Sequence, residues 1–272
     1  MSDYSTSTHQ ERKKQFTPRF CFLNNAPEIT SRHLACQKQN PMTNQRTILY
    51  THAEFTRPIA PDCLLRYFKL DIDNVEITDD WERFCQRFPV RTVPSLITAD
   101  GHRYFEQMAV NHYLIRKSGQ KGEIEQLLGS NDNYALQSEI IIMICSFCTS
   151  DFLNAFCYYC LHDLKTIPID DVTTRNAQKK LETMYPLFEE KLTKHKYLTG
   201  DAVTLADLVS SSSFTLGFHS MFDKEWRDRH HLLAKWYDNM IHSNYMAYHY
   251  RDFTYVDKAH KIVEQPLPAD IK

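Results

Sequence analysis

The chain has 272 residues, a length that predicts one large or two modest domains with a substantial core. Hydrophobic residues make up 42% and aromatic residues 12%, which is typical of a globular protein and excludes a disordered or collagen-like chain. The 32 Lys and Arg nearly balance the 34 Asp and Glu, and the net charge is -2. Since a basic surplus is missing, we expect no direct nucleic-acid partner.

Targeting and cofactor signals are scarce. The chain contains 6 glycines, and none has the spacing of a phosphate-binding loop or a dinucleotide fingerprint. Met1 to Gln15 is polar without an apolar core segment, which disfavours a secretory signal. The most apolar stretch, Ile140 to Cys148, ends before Asp151 and falls short of the roughly 20 residues that span a membrane. We expect a cytoplasmic protein without a membrane segment.

The cysteines superficially suggest zinc. Cys145-x-x-Cys148 and Cys157-x-x-Cys160 have the spacing of a four-cysteine site. No Gly or Pro near them supplies the tight turns that such a site needs. On a continuous helix the four sulfurs would point in different directions around the helix axis and could not bind one ion. The sequence therefore predicts buried, reduced thiols and no metal site.

The first ordered region is predicted to alternate strands and helices. Residues 1–46 are polar and without apolar periodicity, and are predicted to be a disordered extension. From there to residue 122 the predicted elements are strand Thr47–Thr51, helix Pro58–Leu70, strand Asn74–Ile77, a helix opened by Asp79-Asp80, strands Ser95–Thr98 and His102–Phe105 around Asp100-Gly101, and helix Gln107–Lys117. This order, with a proline before the third strand, predicts a thioredoxin-like α/β domain over residues 47–122.

The remainder is predicted to be all-helical over residues 123–258, with a tail at 259–272. Apolar spacing predicts long helices at Ala135–Leu161 and Asp171–His195, the second kinked at Pro186. Thr204-x-x-Asp207 has the form of a capping box, with Val203 and Leu208 as its hydrophobic staple. This motif predicts another helix, which runs through Phe218.

These motifs together resemble a known family. Val93-Pro94-Ser95-Leu96, Phe105 to Ala109 and Thr204-x-x-Asp207 resemble the glutathione transferase superfamily, whose fold is a thioredoxin-like domain followed by a helical domain. Within it, several further motifs are similar to those of fungal translation elongation factor 1 gamma subunits: Leu127-Leu128-Gly129, Tyr197-Leu198, Leu205 to Val209, Glu225-Trp226-Arg227, Trp236-Tyr237 and Tyr250 to Phe253. Those subunits continue into a lysine-rich linker and a further domain, so we expect the transferase-like module alone.

The resemblance implies a glutathione site. A cis Val93-Pro94 bond would expose a strand edge to the cysteinyl main chain of glutathione, although an ordinary turn proline is the alternative. Glu106 and Gln107 stand at a helix start, where main-chain N–H groups receive the γ-glutamyl carboxylate and Glu106 pairs with the α-amino group. The family commonly has Ser at the position of Gln107. Arg91 is a candidate for the glycyl carboxylate, with a solvated Arg as the alternative.

Catalysis in the superfamily requires a donor that stabilises the glutathione thiolate just after the first strand. That position falls near Phe55, which cannot donate a hydrogen bond. The adjacent Thr56 is the candidate catalytic residue, and a simple turn residue is the alternative.

Two functions remain open on these residues. The first is a binding or scaffold module linked to translation elongation, which docks the nucleotide-exchange subunit or a similar partner. The second is a cytosolic glutathione transferase that conjugates glutathione to electrophiles. Phe55 and Gln107 favour the first. No cofactor is expected beyond glutathione as a substrate or ligand, and the family implies a homodimer in which the first domain of one copy meets the second domain of the other.

Overall fold

The computed structural model describes residues 46–129, 135–163 and 171–259. Nearly all of the predicted extension and nearly all of the predicted tail lie outside this range. The elements in chain order are β1 (Ile48–Thr51), α1 (Ile59–Tyr67), β2 (Asp73–Glu76), α2 (Trp81–Arg87), β3 (Ser95–Ile97), β4 (Arg103–Phe105), α3 (Gln107–Lys117), α4 (Lys121–Leu128), α5 (Ala135–Phe147), α6 (Leu153–Asp163), α7 (Asp171–Lys194), α8 (Leu205–Ser220), α9 (Lys224–Arg229) and α10 (His231–Ile241).

The four strands form one sheet in the order β2-β1-β3-β4. β1 and β2 are parallel and are joined by α1, whereas β3 is antiparallel to both β1 and β4. Leu49 and Leu96 pair across β1 and β3 and pack into the main core, while the neighbouring Tyr50 and Ile97 pack with α2 on the opposite face. The predicted thioredoxin-like domain is confirmed.

Some predicted boundaries differ by up to three residues, since the predicted helix Pro58–Leu70 is observed as Ile59–Tyr67. The predicted second strand includes Ile77, but Ile77–Asp79 is a 3-10 turn that leads into α2. The third strand ends at Ile97 because the hydroxyl of Thr98 accepts the His102 main-chain N–H at 2.9 Å and closes the hairpin turn. Gly101 in this turn has φ 90, a backbone conformation that favours glycine.

The cysteine-bearing segment is one helical rod. A π-helical turn, Cys148–Phe152, links α5 to α6 without a break. Cys145 and Cys148 are buried, and burial raises the pKa of the Cys148 thiol to about 12. The pKa of Cys157 is likewise raised by burial, to about 11. These thiols are protonated at neutral pH and behave as small core side chains.

The apolar part of this continuous helix is longer than the stretch Ile140 to Cys148 that the sequence analysis identified. The span Gln137–Tyr159 has 23 residues and a mean hydropathy of 1.8, which is long and apolar enough to cross a membrane by composition. Its most apolar window is 44% buried within the fold, and α5 and α6 pack against α8. The core helix of a globular domain meets the same criterion, so the absence of a membrane segment stays a prediction.

The central helix of the second domain is α8, and every residue in it except His219 is buried. Its start is fixed by Asp207, whose Oδ2 accepts the main-chain N–H of Thr204 at 2.9 Å. The other oxygen, Oδ1, accepts the Leu198 N–H at 2.9 Å and the Trp236 indole N–H at 3.0 Å. The predicted capping box is confirmed, and its carboxylate also ties α8 to α10 and to the loop after α7.

We predict that Asp207→Ala lowers the free energy of unfolding by about 3 kcal/mol or more, because buried N–H donors lose their acceptor. Urea denaturation followed by circular dichroism measures this loss. Asp228→Ala is the matched control, since Asp228 is exposed and its ion pair within the described part of the chain is with Lys224, and should cost less than about 1 kcal/mol. Equal losses in the two variants would contradict the role given to Asp207.

Candidate functional site

The loop before β3 has the geometry that the resemblance implied. The Val93-Pro94 peptide bond is cis. Both residues are buried, and the Ser95 hydroxyl donates to the Thr92 carbonyl at 2.6 Å, which holds the loop. Within the described part of the chain, no hydrogen bond engages the main chain of Val93. Its main-chain groups thus have no partner among the described residues, which main-chain binding of an extended ligand requires.

The start of α3 combines an unusual backbone with an uncapped helix end. Glu106 is not glycine, yet it has φ 70 and ψ 129, a conformation that non-glycine residues rarely adopt and that is enriched at functional sites. Its side chain is exposed, and no side chain caps the helix. The N–H groups of the first turn therefore lack a side-chain acceptor and suit a carboxylate.

Unsatisfied polar groups collect beside this helix start. Gln107 is only 4% exposed, and neither its amide oxygen nor its nitrogen has a hydrogen-bond partner. Asn111, one turn further along α3, is fully buried and equally unpartnered, and Thr92 adds a buried hydroxyl. Among the described residues, these three hold all the buried side-chain N and O atoms that lack a partner. Such groups are costly unless something polar reaches them.

Asn111 was missed in the sequence analysis. A signal was present, because Asn111 interrupts the buried stripe of α3 that Val110, Leu114 and Ile115 form. A polar residue in an apolar helical stripe marks a candidate polar contact.

Arg91 lies two residues before Val93 with φ 57 and is half-buried. Its main-chain N–H donates to the Phe88 carbonyl at 2.9 Å. Its guanidinium forms no ion pair with another described residue. The assignment of Arg91 to a ligand carboxylate stays a prediction.

The loop after β1 offers little for catalysis. Thr56 is only 7% exposed, and its carbonyl accepts the Ile59 N–H at 3.2 Å, in the turn that begins α1. The Phe55 ring packs edge-on against His52, with 4.6 Å between the ring centroids. The next residue, Arg57, donates to the Thr149 carbonyl at 3.2 Å and links this loop to the second domain. Thr56 is therefore largely buried at the place where a transferase needs a donor that meets its substrate, and the catalytic role of Thr56 stays a prediction.

A cluster of charged residues that sequence reasoning missed lies beside this loop. It lines a cleft of about 420 Å³ between α1, β2 and the segment Tyr248–Asp252, which we name the charged cleft. Its floor is Asp62, which accepts Arg66 Nε at 3.0 Å and Asn74 Nδ2 at 2.6 Å, and whose Oδ2 lies 3.4 Å from His249 Nδ1.

The electrostatics of the charged cleft favour an ionised Asp62. Burial acts to raise its pKa, but the contacts with His249 and Arg66 outweigh burial and bring the pKa below its ordinary value. A second pair, His52 Nδ1 and Glu76 Oε1, lies 2.6 Å apart at the same edge of the sheet. The arrangement is a hydrogen-bond network, with Arg66 and Asp62 as its ion pair, that joins the first domain to the segment after α10.

Comparisons with known proteins place this geometry in a family. Residues 159–244 match the family model of the glutathione S-transferase C-terminal domain. A putative elongation factor 1 gamma homolog of Saccharomyces cerevisiae is 32% identical over 72% of this chain and 88% of its own length. Elongation factor 1-gamma 1 of the same yeast is 31% identical over 74% of this chain, which spans only 48% of that longer relative. The crystal structure of the GST-like domain of elongation factor 1-gamma from Saccharomyces cerevisiae matches 80% of this chain and 99% of its own with a TM-score of 0.74 and 28% identity.

The sheet with its cis proline and the capped helical domain thus define a glutathione-transferase fold. The chain belongs to the elongation factor 1 gamma family of proteins with this fold.

We predict that Asp62→Asn lowers the free energy of unfolding at pH 7 by about 1 to 3 kcal/mol, because charge-assisted hydrogen bonds to Arg66 weaken. Since folding lowers the pKa of Asp62, its stabilising contribution is present above the unfolded pKa near 3.8 and is lost as the pH falls through the folded pKa. Urea titrations of both proteins from pH 7 downward should show the difference narrowing below about pH 4. A difference that stays constant at every pH would contradict this assignment.

Proposed function

We propose that this chain is a cytoplasmic binding module of the elongation factor 1 gamma type, which docks the nucleotide-exchange subunit of the elongation factor or a partner of similar build. The observation that carries the proposal is the loop after β1. A transferase needs an exposed hydroxyl or thiol there, whereas this chain has Phe55 followed by Thr56 at 7% exposure. The relatives named for elongation factor 1 gamma support the same conclusion.

The chemical argument concerns the thiol. Glutathione attacks as a thiolate, and the enzyme must lower the thiol pKa with a nearby donor or positive charge. A phenyl ring supplies neither, and the neighbouring Thr56 side chain, in a residue that is only 7% exposed, offers little contact to a substrate. The fold is then retained for the surfaces that it displays rather than for acid–base chemistry.

We also propose that the chain pairs with a second copy, with the first domain of one copy against the second domain of the other. Val90 is 64% exposed and Phe105 is 48% exposed, and Phe105 lies on β4, the edge strand of the sheet. Val90 lies in the loop between α2 and β3, and exposed apolar side chains of this size are typical of protein interfaces.

The purified chain should bind the recombinant nucleotide-exchange subunit of the same organism with a Kd of about 1 µM or tighter. Biolayer interferometry with the immobilised chain measures this. A catalytically active glutathione transferase immobilised at the same density is the control and should give no signal. A folded chain that shows no binding at roughly ten times that concentration would refute the proposed function.

A third proposal concerns glutathione itself, because the start of α3 retains the elements of a carboxylate site. It is supported by the uncapped start of α3, the positive φ of Glu106 and the unpartnered side-chain amide of Gln107. In this proposal Glu106 pairs with the α-amino group, and the first-turn N–H groups receive the γ-glutamyl carboxylate. Binding without turnover is compatible with the scaffold function.

Isothermal titration calorimetry should give submillimolar glutathione binding that weakens at least about tenfold in Glu106→Ala, because one charge pair to the ligand is lost. Glu125→Ala is the matched control, since Glu125 is an exposed glutamate on the neighbouring α4. Identical affinities in the Glu106 and Glu125 variants would show that glutathione does not use this site.

A further inference from the structure

The buried face of α3 contains two polar side chains at positions where apolar ones are expected. The buried residues of α3 are Gln107, Val110, Asn111, Leu114 and Ile115. Their spacing of three and four residues is that of an apolar helix face. Gln107 is 4% exposed and Asn111 is 0% exposed, so both side-chain amides lie inside the protein. We name Gln107 and Asn111 the α3 amide pair.

Neither amide of the pair is satisfied within the described part of the chain. The oxygen and the nitrogen of both side chains lack a hydrogen-bond partner. A buried amide without a partner destabilises a fold, whereas a leucine at the same position does not. The folding of the chain alone therefore gives no reason for two such groups one turn apart on one helix.

The position of the α3 amide pair connects it to the proposed glutathione site. Ser95 pairs with Phe105 across β3 and β4, so the loop with the cis proline and the start of α3 lie at the same end of the sheet. Gln107 is the first residue of α3, at the uncapped end that suits a carboxylate. Asn111 follows four residues later, on the same helix face and one turn further along α3. The pair thus leads from the carboxylate site into the core.

Two amides at this spacing can satisfy each other and a ligand in sequence. A side-chain amide donates through its nitrogen and accepts through its oxygen. When Gln107 Nε2 donates to a ligand carboxylate, Gln107 Oε1 is left to accept from Asn111 Nδ2. Hydrogen bonds between glutamine and asparagine four residues apart are a known helix contact. Neither side chain gives up a hydrogen bond to a described residue when it turns to make these contacts.

We propose that Asn111 is a positioning residue of the glutathione site: its side-chain nitrogen holds the Gln107 oxygen, and the Gln107 nitrogen donates to the γ-glutamyl carboxylate. The inference rests on the proposal that glutathione binds at the start of α3. It goes further, because it assigns the recognition of one carboxylate to a residue that touches no ligand. Hydrogen bonds in such a chain strengthen one another, and an anion at its end strengthens them further.

Two ligands that differ in one carboxylate test the role of Asn111. The first is glutathione, and the second is its analogue with a 4-aminobutyryl group in place of the γ-glutamyl group, which keeps the amine and lacks the carboxylate. Nuclear magnetic resonance titrations of the labelled chain measure both dissociation constants. Asn111→Leu should bind glutathione at least about tenfold more weakly than the wild type and should bind the analogue as the wild type does.

Stability gives a second readout of the same variant. In urea, ligand-free Asn111→Leu should unfold at a higher midpoint than the wild type, because an unpartnered buried amide is removed. Ile115→Val is the matched control, since it changes the buried face of α3 without changing a polar group, and it should leave both affinities unchanged.

The outcomes separate this inference from the proposal on which it rests. If the wild type and Asn111→Leu bind glutathione equally, the role of Asn111 is wrong while the glutathione proposal stands. If Asn111→Leu weakens both ligands by the same factor, Asn111 acts on packing rather than on the carboxylate, and the inference is again wrong. If the wild type binds no glutathione, both are wrong, whereas the proposed docking of the exchange subunit is unaffected. Should Asn111→Leu fail to fold, Asn111→Ala is titrated with the same two ligands and judged by the same outcomes.

Discussion

The buried carboxylate of Asp207 is the contact on which the rest of the structure depends. Its two oxygens accept hydrogen bonds from the loop after α7, from the N-cap of α8 and from the indole of Trp236 on α10. Burial raises the pKa of Asp207, and several bonded donors oppose that rise. A side chain that cannot accept these hydrogen bonds would leave the buried donors unpaired. The carboxylate therefore holds α8 in one register with respect to its neighbours.

The position of α8 in turn determines how the first domain packs against the second. α8 packs against α1, and one continuous core contains Leu49 and Leu64 of the first domain together with Phe214 and Trp236 of the second. Gly217 belongs to this packing, because a Cβ there would lie 2.3 Å from the ring of Phe222. The loop after β1 leads directly into α1, so its geometry is held by the helical domain. The features that argue against catalysis are therefore built into the fold rather than confined to a free loop.

The elements that could be predicted from the sequence are those whose pattern lies within a few neighbouring residues. Apolar periodicity placed the helices, and Thr204-x-x-Asp207 identified the start of α8 because a capping box spans only four residues. Predicting that the Val93-Pro94 bond is cis required the family resemblance, since sequence alone does not specify the isomer. The Asp62 network escaped prediction because Asn74 and His249 lie 12 and 187 positions away along the chain.

The central claim is that this fold serves binding rather than thiol activation. Turnover of a general electrophile such as 1-chloro-2,4-dinitrobenzene, with glutathione at cellular concentration, tests the claim most directly. The account predicts a rate no higher than that of the uncatalysed reaction, with Thr56→Ala indistinguishable from the wild type. Robust turnover that disappears in a folded Thr56→Ala variant would contradict the account and establish the chain as a glutathione transferase.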